Sequence, residues 1–434
     1  MIKIAKVKLW GTLIGIFYLD EEKGYVSFEY DKGFRNSGIE VSPIMMPLSD
    51  RLYEFPSLVK SSFNGVPGLM ADSLPDKFGN AVIDQWLASN GRTSDSFNVI
   101  ERLCYTGKRG MGALEYEPES SERKEIDAQI NITKMSDFAS AILEKKKSLL
   151  ITSENDINYQ QLLKLGTSAG GARAKAIIAY NKKTGEFRSG QVDLESDFEY
   201  WLVKFDGVSK NGDHNLEDEP EYTLIEYAYY LMAKNAGIEM SECTILSDNH
   251  RNHFMTKRFD RVDGDKVHMQ SLGAILHIDY NFPGLCSYER AALAAKEIGC
   301  PSSDIEQFFR RMVYNVLAVN QDDHVKNISF LMNRRGVWSL SPAYDITFAY
   351  NPENRWLKSH QMSVNGKVYD ITKEDMILCG KSMDLKVSKC HKIIEEVYHS
   401  VQAFEEIARS VNIRDNTIRL IQSELQKQHA KCML

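Results

Sequence analysis

Asp322 and Asn327 stand five positions apart in the stretch Asn320-Gln321-Asp322-Asp323-His324-Val325-Lys326-Asn327, and Tyr344-Asp345 follows after a hairpin-sized segment. A carboxylate can accept the hydrogen of a hydroxyl, and an amide oxygen or a second carboxylate can ligate a hard metal ion. Phosphoryl transfer needs little more from a protein than this, plus charge that steadies the phosphates. In the kinase catalytic loop H-R-D-x-x-x-x-N the Asp and Asn have the same spacing, and a later Asp completes the metal site. His-Arg does not precede Asp322 here. Of the two adjacent carboxylates only Asp322 has the five-residue spacing, so it is the candidate for catalysis and Asp323 is its control.

Other residues in the chain suit the same chemistry. Lys204 lies in the apolar run Trp201-Leu202-Val203-Lys204-Phe205. It is either a strand lysine that contacts phosphates, with Glu226 as a candidate partner, or an edge-strand lysine facing water; burying an unpaired ammonium is costly. The loop Gly166–Gly171 fits neither G-x-x-x-x-G-K-[ST] nor G-x-G-x-x-G, but its small residues allow backbone N–H groups to approach phosphate oxygens. Ser168 sits in the middle of that loop. His324 either orients the neighbouring catalytic Asp or satisfies loop backbone groups, and the structural role is favoured for it and for Asp323. Lys326 is equally well a phosphate-steadying cation or a solvated loop lysine.

These residues need elements to hold them. Ile305–Val319 is a strongly amphipathic helix, with Phe308, Phe309, Met312, Val313, Val316 and Leu317 on one side, and it leads directly into the Asp322 loop. Ile328–Met332 and Val337–Leu340 read as strands about the turn Asn333–Gly336, a hairpin that would return Asp345 towards Asn327. The first third is β-rich: Ile2–Trp10, Thr12–Leu19 and Tyr25–Tyr30 are strands, then Pro75–Ser89 and Ser96–Cys104 are helices. Helices are also expected at Asp137–Lys147 and Tyr222–Ala236, the latter ending at Gly237. Strands are expected at Ala176–Tyr180 and Trp201–Phe205. Phe254–Phe259 and Lys266–Gln270 flank Asp263-Gly264 as a hairpin. Two helices, Ser388–Ser410 and Arg414–Lys431, close the chain. The charged stretch Glu117–Asp127 is the best linker. The fold class is therefore α+β: a two-lobed kinase-like core behind a β-rich N-terminal domain, with an all-helical C-terminal lobe. The expected domains are 1–120, 121–262 and 263–434.

Composition narrows the alternatives. The 434 residues are 43% apolar and 26% charged, which is ordinary for a globular protein, and the net charge is −7. A net negative chain is a poor DNA binder by itself. The apolar stretch Val7–Leu19 is too short and interrupted to cross a membrane. Seven scattered cysteines, without a C-x-x-C pair, suit a reducing cytoplasm rather than a disulfide framework or a zinc site.

Seven blocks in order resemble the HipA-type serine/threonine kinases, toxins of bacterial toxin–antitoxin pairs. They are Pro67–Gly79, Arg109–Ala113, Ser168–Lys175, Trp201–Gly207, Lys257–Arg261, Asp322–Asn327 and Ser341–Asp345. The resemblance implies a fold related to phosphoinositide kinases, and ATP with Mg2+ as cofactors. It makes Asp322 the catalytic residue, Asn327 and Asp345 the metal ligands, and Lys204 the phosphate-contacting lysine. Lys257, Arg258 and Phe259 become a hinge whose backbone meets adenine, with Asp260 near the ribose. The nucleotide-binding candidates further include Ser168, Ala169, Gly170, Gly171, His324 and Lys326. Ser168 falls at the family's autophosphorylation site, and Gly207–Pro220 at its activation loop. The implied partner is a helix-turn-helix HipB-like antitoxin, which carries most of the contact with operator DNA. The implied substrate is a protein, with glutamyl-tRNA synthetase the family's best-known target. The departure is Asp322-Asp323-His324, where some relatives have Asp-Gly-His. Two rival readings are a small-molecule phosphotransferase, and a non-catalytic kinase-like co-repressor.

Overall fold

A computed structural model of the chain describes residues 2–118, 129–143, 173–190, 197–207 and 221–433. The phosphate-loop candidates Ser168, Ala169, Gly170 and Gly171, residues 208–220 of the expected activation loop, and most of the expected linker lie outside the described residues. The chain divides into two compact units. The first takes residues 1–40, 48–223 and 242–269, and the second takes 41–47, 224–241 and 270–434.

Among the described residues the first unit holds a four-stranded and a five-stranded antiparallel sheet, besides a short two-stranded hairpin. β1 (Ile4–Leu9), β2 (Thr12–Asp20), β3 (Tyr25–Tyr30) and β4 (Leu114–Glu117) pair in the order β3-β2-β1-β4. Along β1, Ala5, Val7 and Leu9 alternate inward while Ile4 and Lys6 face out, as a half-buried strand requires. The expected helix after Pro75 runs Lys77–Ser89, and Asp76 caps it by accepting the Gly79 N–H at 2.6 Å. The next helix begins later than expected, at Val99. Asn98 and Glu101 close a reciprocal capping box there and fix its start.

The second sheet is built from β5 (Lys175–Asn181), β6 (Glu186–Ser189), β7 (Glu199–Lys204), β8 (Cys243–Asp248) and β9 (Arg251–Lys257), in the order β6-β5-β7-β9-β8. One face packs Ala176, Ile178, Trp201, Val203 and Met255 against Phe78 and Val82 of the first helix and Met135, Phe138 and Ile142 of the helix Ile132–Leu143. Each such large side chain, fully buried, contributes about 1.5–3 kcal/mol relative to exposure. The hairpin at Asp263-Gly264 forms, but from the shorter strands Arg261–Val262 and Asp265–Lys266. Its turn residues have φ of 50° and 83°, the primed turn that suits the strand twist. The strand before it ends at Lys257, because residues 251–257 pair with β7 and β8 instead.

The second unit is mainly helical rather than all-helical. Its helices include Ser302–Leu317, Lys373–Ser382, Val387–Gln402 and Asp415–Met433. Ser302–Leu317 buries all the apolar residues named for it above. The helix expected over Ser388–Ser410 breaks at Ala403, whose N–H turns back to the Ser400 and Val401 carbonyls. That turn delivers Phe404, fully buried, against the Tyr229 ring at 5.9 Å. The lobe also carries the expected hairpin. Ser329–Met332 pairs with Trp338–Leu340, Leu331 opposite Ser339. A parallel pair, Cys286–Ser287 with Met362–Ser363, sits before the helix Tyr288–Glu297.

All seven cysteines are buried and free, and burial pushes the Cys104, Cys300 and Cys432 thiols up to about 12. Among the described residues no helix is long and apolar enough to cross a membrane.

Candidate functional site

The helix Ser302–Leu317 ends at Ala318, and the chain turns sharply at Val319, which has φ of 55°. A β-branched residue in the left-handed region is strained, so the surrounding bonds must hold it. They do. The Asn320 N–H donates to the Asn315 carbonyl at 3.0 Å, the Gln321 N–H to Ala349 at 2.9 Å, and the Ala349 N–H to Val319 at 3.2 Å. Residues 319–321 are thus laced to 349.

The other end of the loop is held from two sides. The Val325 carbonyl accepts from Gly273, and the Ile328 carbonyl from Leu272. The Tyr344 hydroxyl donates to the Lys326 carbonyl at 2.7 Å and also meets the Ser329 hydroxyl. The segment 344–349 therefore runs along the Asp322 loop, with Asp345 itself at φ 52°. The hairpin returns this segment to the loop, as its position in the sequence suggests.

Within the loop, the Asn327 side-chain nitrogen donates to the Asp322 carbonyl at 2.8 Å. That bond assigns the amide, so the Asn327 oxygen points away from the Asp322 backbone. An amide oxygen and the Asp345 carboxylate are hard oxygen donors, the set Mg2+ prefers when phosphates and water complete its shell. Asp322 keeps its side chain 46% exposed, whereas its neighbour Asp323 is fully buried. The His324 ring lies 3.9 Å from the Asp322 carboxylate, too far for a hydrogen bond, and 5.7 Å centroid-to-centroid from Tyr280. The Lys326 ammonium sits 4.7 Å over the same Tyr280 ring, so it is not simply a solvated lysine.

In the first unit, Lys204 closes β7 between Lys175 on β5 and Phe254 on β9. It is buried in a central strand, which removes the edge-strand reading. Its ammonium lies 5.7 Å over the Phe254 ring. Beside it, Lys175 is buried and paired with Asp76 at 2.9 Å. Asp76 thereby serves two ends, capping a helix and neutralising a lysine of the sheet. Neither residue was singled out by motif spacing, because the pair spans about a hundred residues.

The expected hinge residues are tied into the first unit through two of their backbone donors. The Lys257 N–H donates to Glu242 and the Arg258 N–H to Tyr200, so these two backbone donors are engaged inside the unit. The Lys257 side chain reaches Glu199 at 2.5 Å. Asp260 is fully buried, and its oxygens receive Arg258 at 2.8 and 2.7 Å, Arg261 at 2.9 Å and the Gly112 N–H at 2.7 Å. Both arginines continue to the Gly110 carbonyl. Burial alone would raise the Asp260 pKa; the arginines and the Gly112 N–H outweigh it and hold the carboxyl well below its usual range. Asp260 is therefore an internal anchor that joins residues 258–261 to the glycine turn 110–112.

One histidine gives the second unit a pH response. His277 ends the short helix Leu272–Leu276 at φ 53°, and burial pulls its pKa down to about 4. A depressed imidazole binds its proton more readily when unfolded, so stability is full above pH ~6.5 and falls as pH drops towards 4, by on the order of 3 kcal/mol. Urea unfolding at pH 7.0 and 4.5 measures this. His277→Asn, which tolerates the left-handed backbone, should flatten the slope; an unchanged slope would assign it to other groups.

Comparisons with known proteins extend over most of the chain. Residues 5–117 match the family model of the HipA N-terminal domain, and residues 167–404 that of the HipA-like C-terminal domain. The putative kinase Y4dM of Sinorhizobium fredii is 26% identical over 162 residues, covering 34% of this chain and 36% of that protein. A putative kinase of Haemophilus influenzae is 28% identical over 159 residues, covering 32% and 46%. The chain thus spans less than half the length of these curated relatives. Among solved structures, the Shewanella oneidensis HipA, in a toxin–antitoxin complex with HipB and operator DNA, aligns at a TM-score of 0.62 and 15% identity. The alignment covers 99% of this chain and 96% of that one, a likeness of fold.

Proposed function

The chain belongs to the HipA family, and on that premise we propose that it is an ATP-dependent serine/threonine protein kinase acting as a growth-inhibiting toxin. The observation that carries this reading is the loop itself: a half-exposed Asp322 whose backbone is clamped by Asn327, alongside the segment that bears Asp345. In this reading Asp322 orients the acceptor hydroxyl and takes its hydrogen. Lys204 supplies positive charge to the phosphates. Asn327 and Asp345 hold Mg2+, which when bound neutralises charge on the transferring group. The orientation of the Asn327 amide supports that assignment.

The substrate is proposed to be a translation component, glutamyl-tRNA synthetase being the first to test, and Ser168 a site of autophosphorylation. A phosphate there would add close to two negative charges, enough to weaken nucleotide binding. A HipB-like helix-turn-helix antitoxin is the proposed partner and the main bearer of operator contact. The net charge of −7 and the HipB complex of the Shewanella relative support this. The proposed compartment is the cytoplasm. Incubation with radiolabelled ATP and Mg2+, alone and with purified glutamyl-tRNA synthetase, tests the activity. Label on Ser168 and on the acceptor, both lost in Asp322→Ala, is the expected result; an unlabelled protein in every mixture would refute it.

A further inference from the structure

Asp323 is fully buried one residue from the candidate catalytic carboxylate, and it is not idle. Its oxygens accept from the Tyr288 hydroxyl at 2.7 Å and from the Gln361 N–H at 2.7 Å, and they meet His360 Nδ1 at 3.0 Å. With the imidazole proton assigned to His360 Nδ1 from this network, all three groups donate to Asp323. Burial, and then the charge of Asp323, keep the Tyr288 phenol protonated and able to donate.

The network continues to the start of the loop. The Tyr288 oxygen accepts from Asn315 at 3.0 Å, and the Asn315 oxygen accepts from Asn320 at 3.0 Å. Asn315 is on the helix that precedes the loop, and Asn320 is the loop's own residue. The chain of side chains therefore runs from Asn320, under the loop, to Asp323. Asp322 stands between two held points: Asn327 donates to its carbonyl, and the next residue, Asp323, is anchored through its side chain.

The far end of the network is fixed by backbone. The Gly284 N–H donates to the Gln361 carbonyl, the His360 N–H donates to Val368, and Met362–Ser363 pairs in parallel with Cys286–Ser287, immediately before Tyr288. Two of the three donors to Asp323 are thus set by one small patch of structure. His360 is buried, so its ring cannot swing out to water. Three partners on the buried Asp323 carboxyl fix one geometry for it, and a carboxyl left with fewer would lose that role.

We propose that His360 is a positioning residue for phosphoryl transfer: its imidazole holds Asp323, and through Asp323 sets the backbone on which Asp322 and Asn327 are presented. The proposal rests on the kinase reading of this loop and adds a residue to it. His360 touches neither substrate nor nucleotide in this account. It acts through geometry, and a misplacement of about 1 Å at a reacting group can cost on the order of 10²-fold in rate.

The test uses the full chain with His360→Ala, His360→Asn and Tyr288→Phe. An Asn amide places a donor close to where Nδ1 stands, so it is the conservative variant. His360→Ala should lower kcat by on the order of 10²-fold, with little change in ATP Kd, and His360→Asn should recover most of that loss. Tyr288→Phe removes one donor of the same network and should lower kcat in the same direction. Hydrogen–deuterium exchange of residues 320–327 should rise in His360→Ala and return in His360→Asn. Loss of kcat that tracks only the fall in Tm, with no rescue by Asn, would overturn the proposal, as would unchanged exchange of the loop in His360→Ala. A wild-type chain that transfers no label would sink the kinase reading separately, and the exchange measurement would still decide whether His360 sets the loop.

Discussion

Asp322→Ala is expected to lower phosphoryl transfer by about 10²–10⁴-fold, the usual contribution of a positioned general base. ATP affinity and Tm should stay close to those of the unaltered protein. The reason is where the side chain sits. Asp322 is 46% exposed, and the loop's hydrogen bond from Asn327 goes to its backbone carbonyl, which the substitution keeps. Surface changes of this type usually alter stability by less than about 0.5 kcal/mol. Asp323→Ala, suggested by sequence as a control, is nothing of the kind. It removes a buried acceptor and leaves Tyr288, His360 and the Gln361 N–H without it. Each orphaned buried donor costs about 1–3 kcal/mol, so Asp323→Ala should lose both stability and activity. Kinetics with labelled ATP, isothermal titration with ATP and thermal melts separate the two variants. Equal melting losses for both, or full activity in Asp322→Ala, would contradict the assignment.

The contrast between these neighbours shows what sequence carries and what it does not. The Asp322–Asn327 spacing is local, and so is the amphipathic helix before it and the hairpin after it; each was readable because its period or turn is written within a few residues. The partners of Asp323 lie 35, 37 and 38 positions away, in elements whose approach depends on a two-residue parallel pairing that leaves almost no pattern. His360 therefore gave no signal at all. Lys204 stood between the two cases. Its apolar strand was legible, but whether that strand is central depends on pairing with residues 175–181 and 251–257, which is a property of the sheet. The break at Ala403 had no Gly or Pro to mark it; burial of Phe404 decides it.

Asp260 offers the sharpest division between a sequence expectation and a geometric one. If its carboxylate served a ribose, Asp260→Asn would raise the KM for ATP and leave stability alone. The structure leads to the opposite expectation. Asp260 neutralises Arg258 and Arg261, all three buried or nearly so, and it also accepts the Gly112 N–H. Removing one member of a buried ion-paired group leaves charge uncompensated, at a cost of about 3–5 kcal/mol. Asp260→Ala should therefore lower the urea midpoint strongly, and Asp260→Asn, which keeps an acceptor but not the charge, should fall between it and the unaltered protein. The pH dependence has a definite sign. A carboxyl whose folded pKa is depressed gives stability that is complete above its unfolded pKa of about 3.9 and is lost only as pH falls below it. The Asp260 contribution should thus persist at pH 4.5, where the His277 contribution has already declined. Comparing unfolding of Asp260→Asn at pH 7.0 and 4.5 tests this: the same deficit at both values fits the anchor, and a deficit confined to the KM for ATP would return Asp260 to the nucleotide.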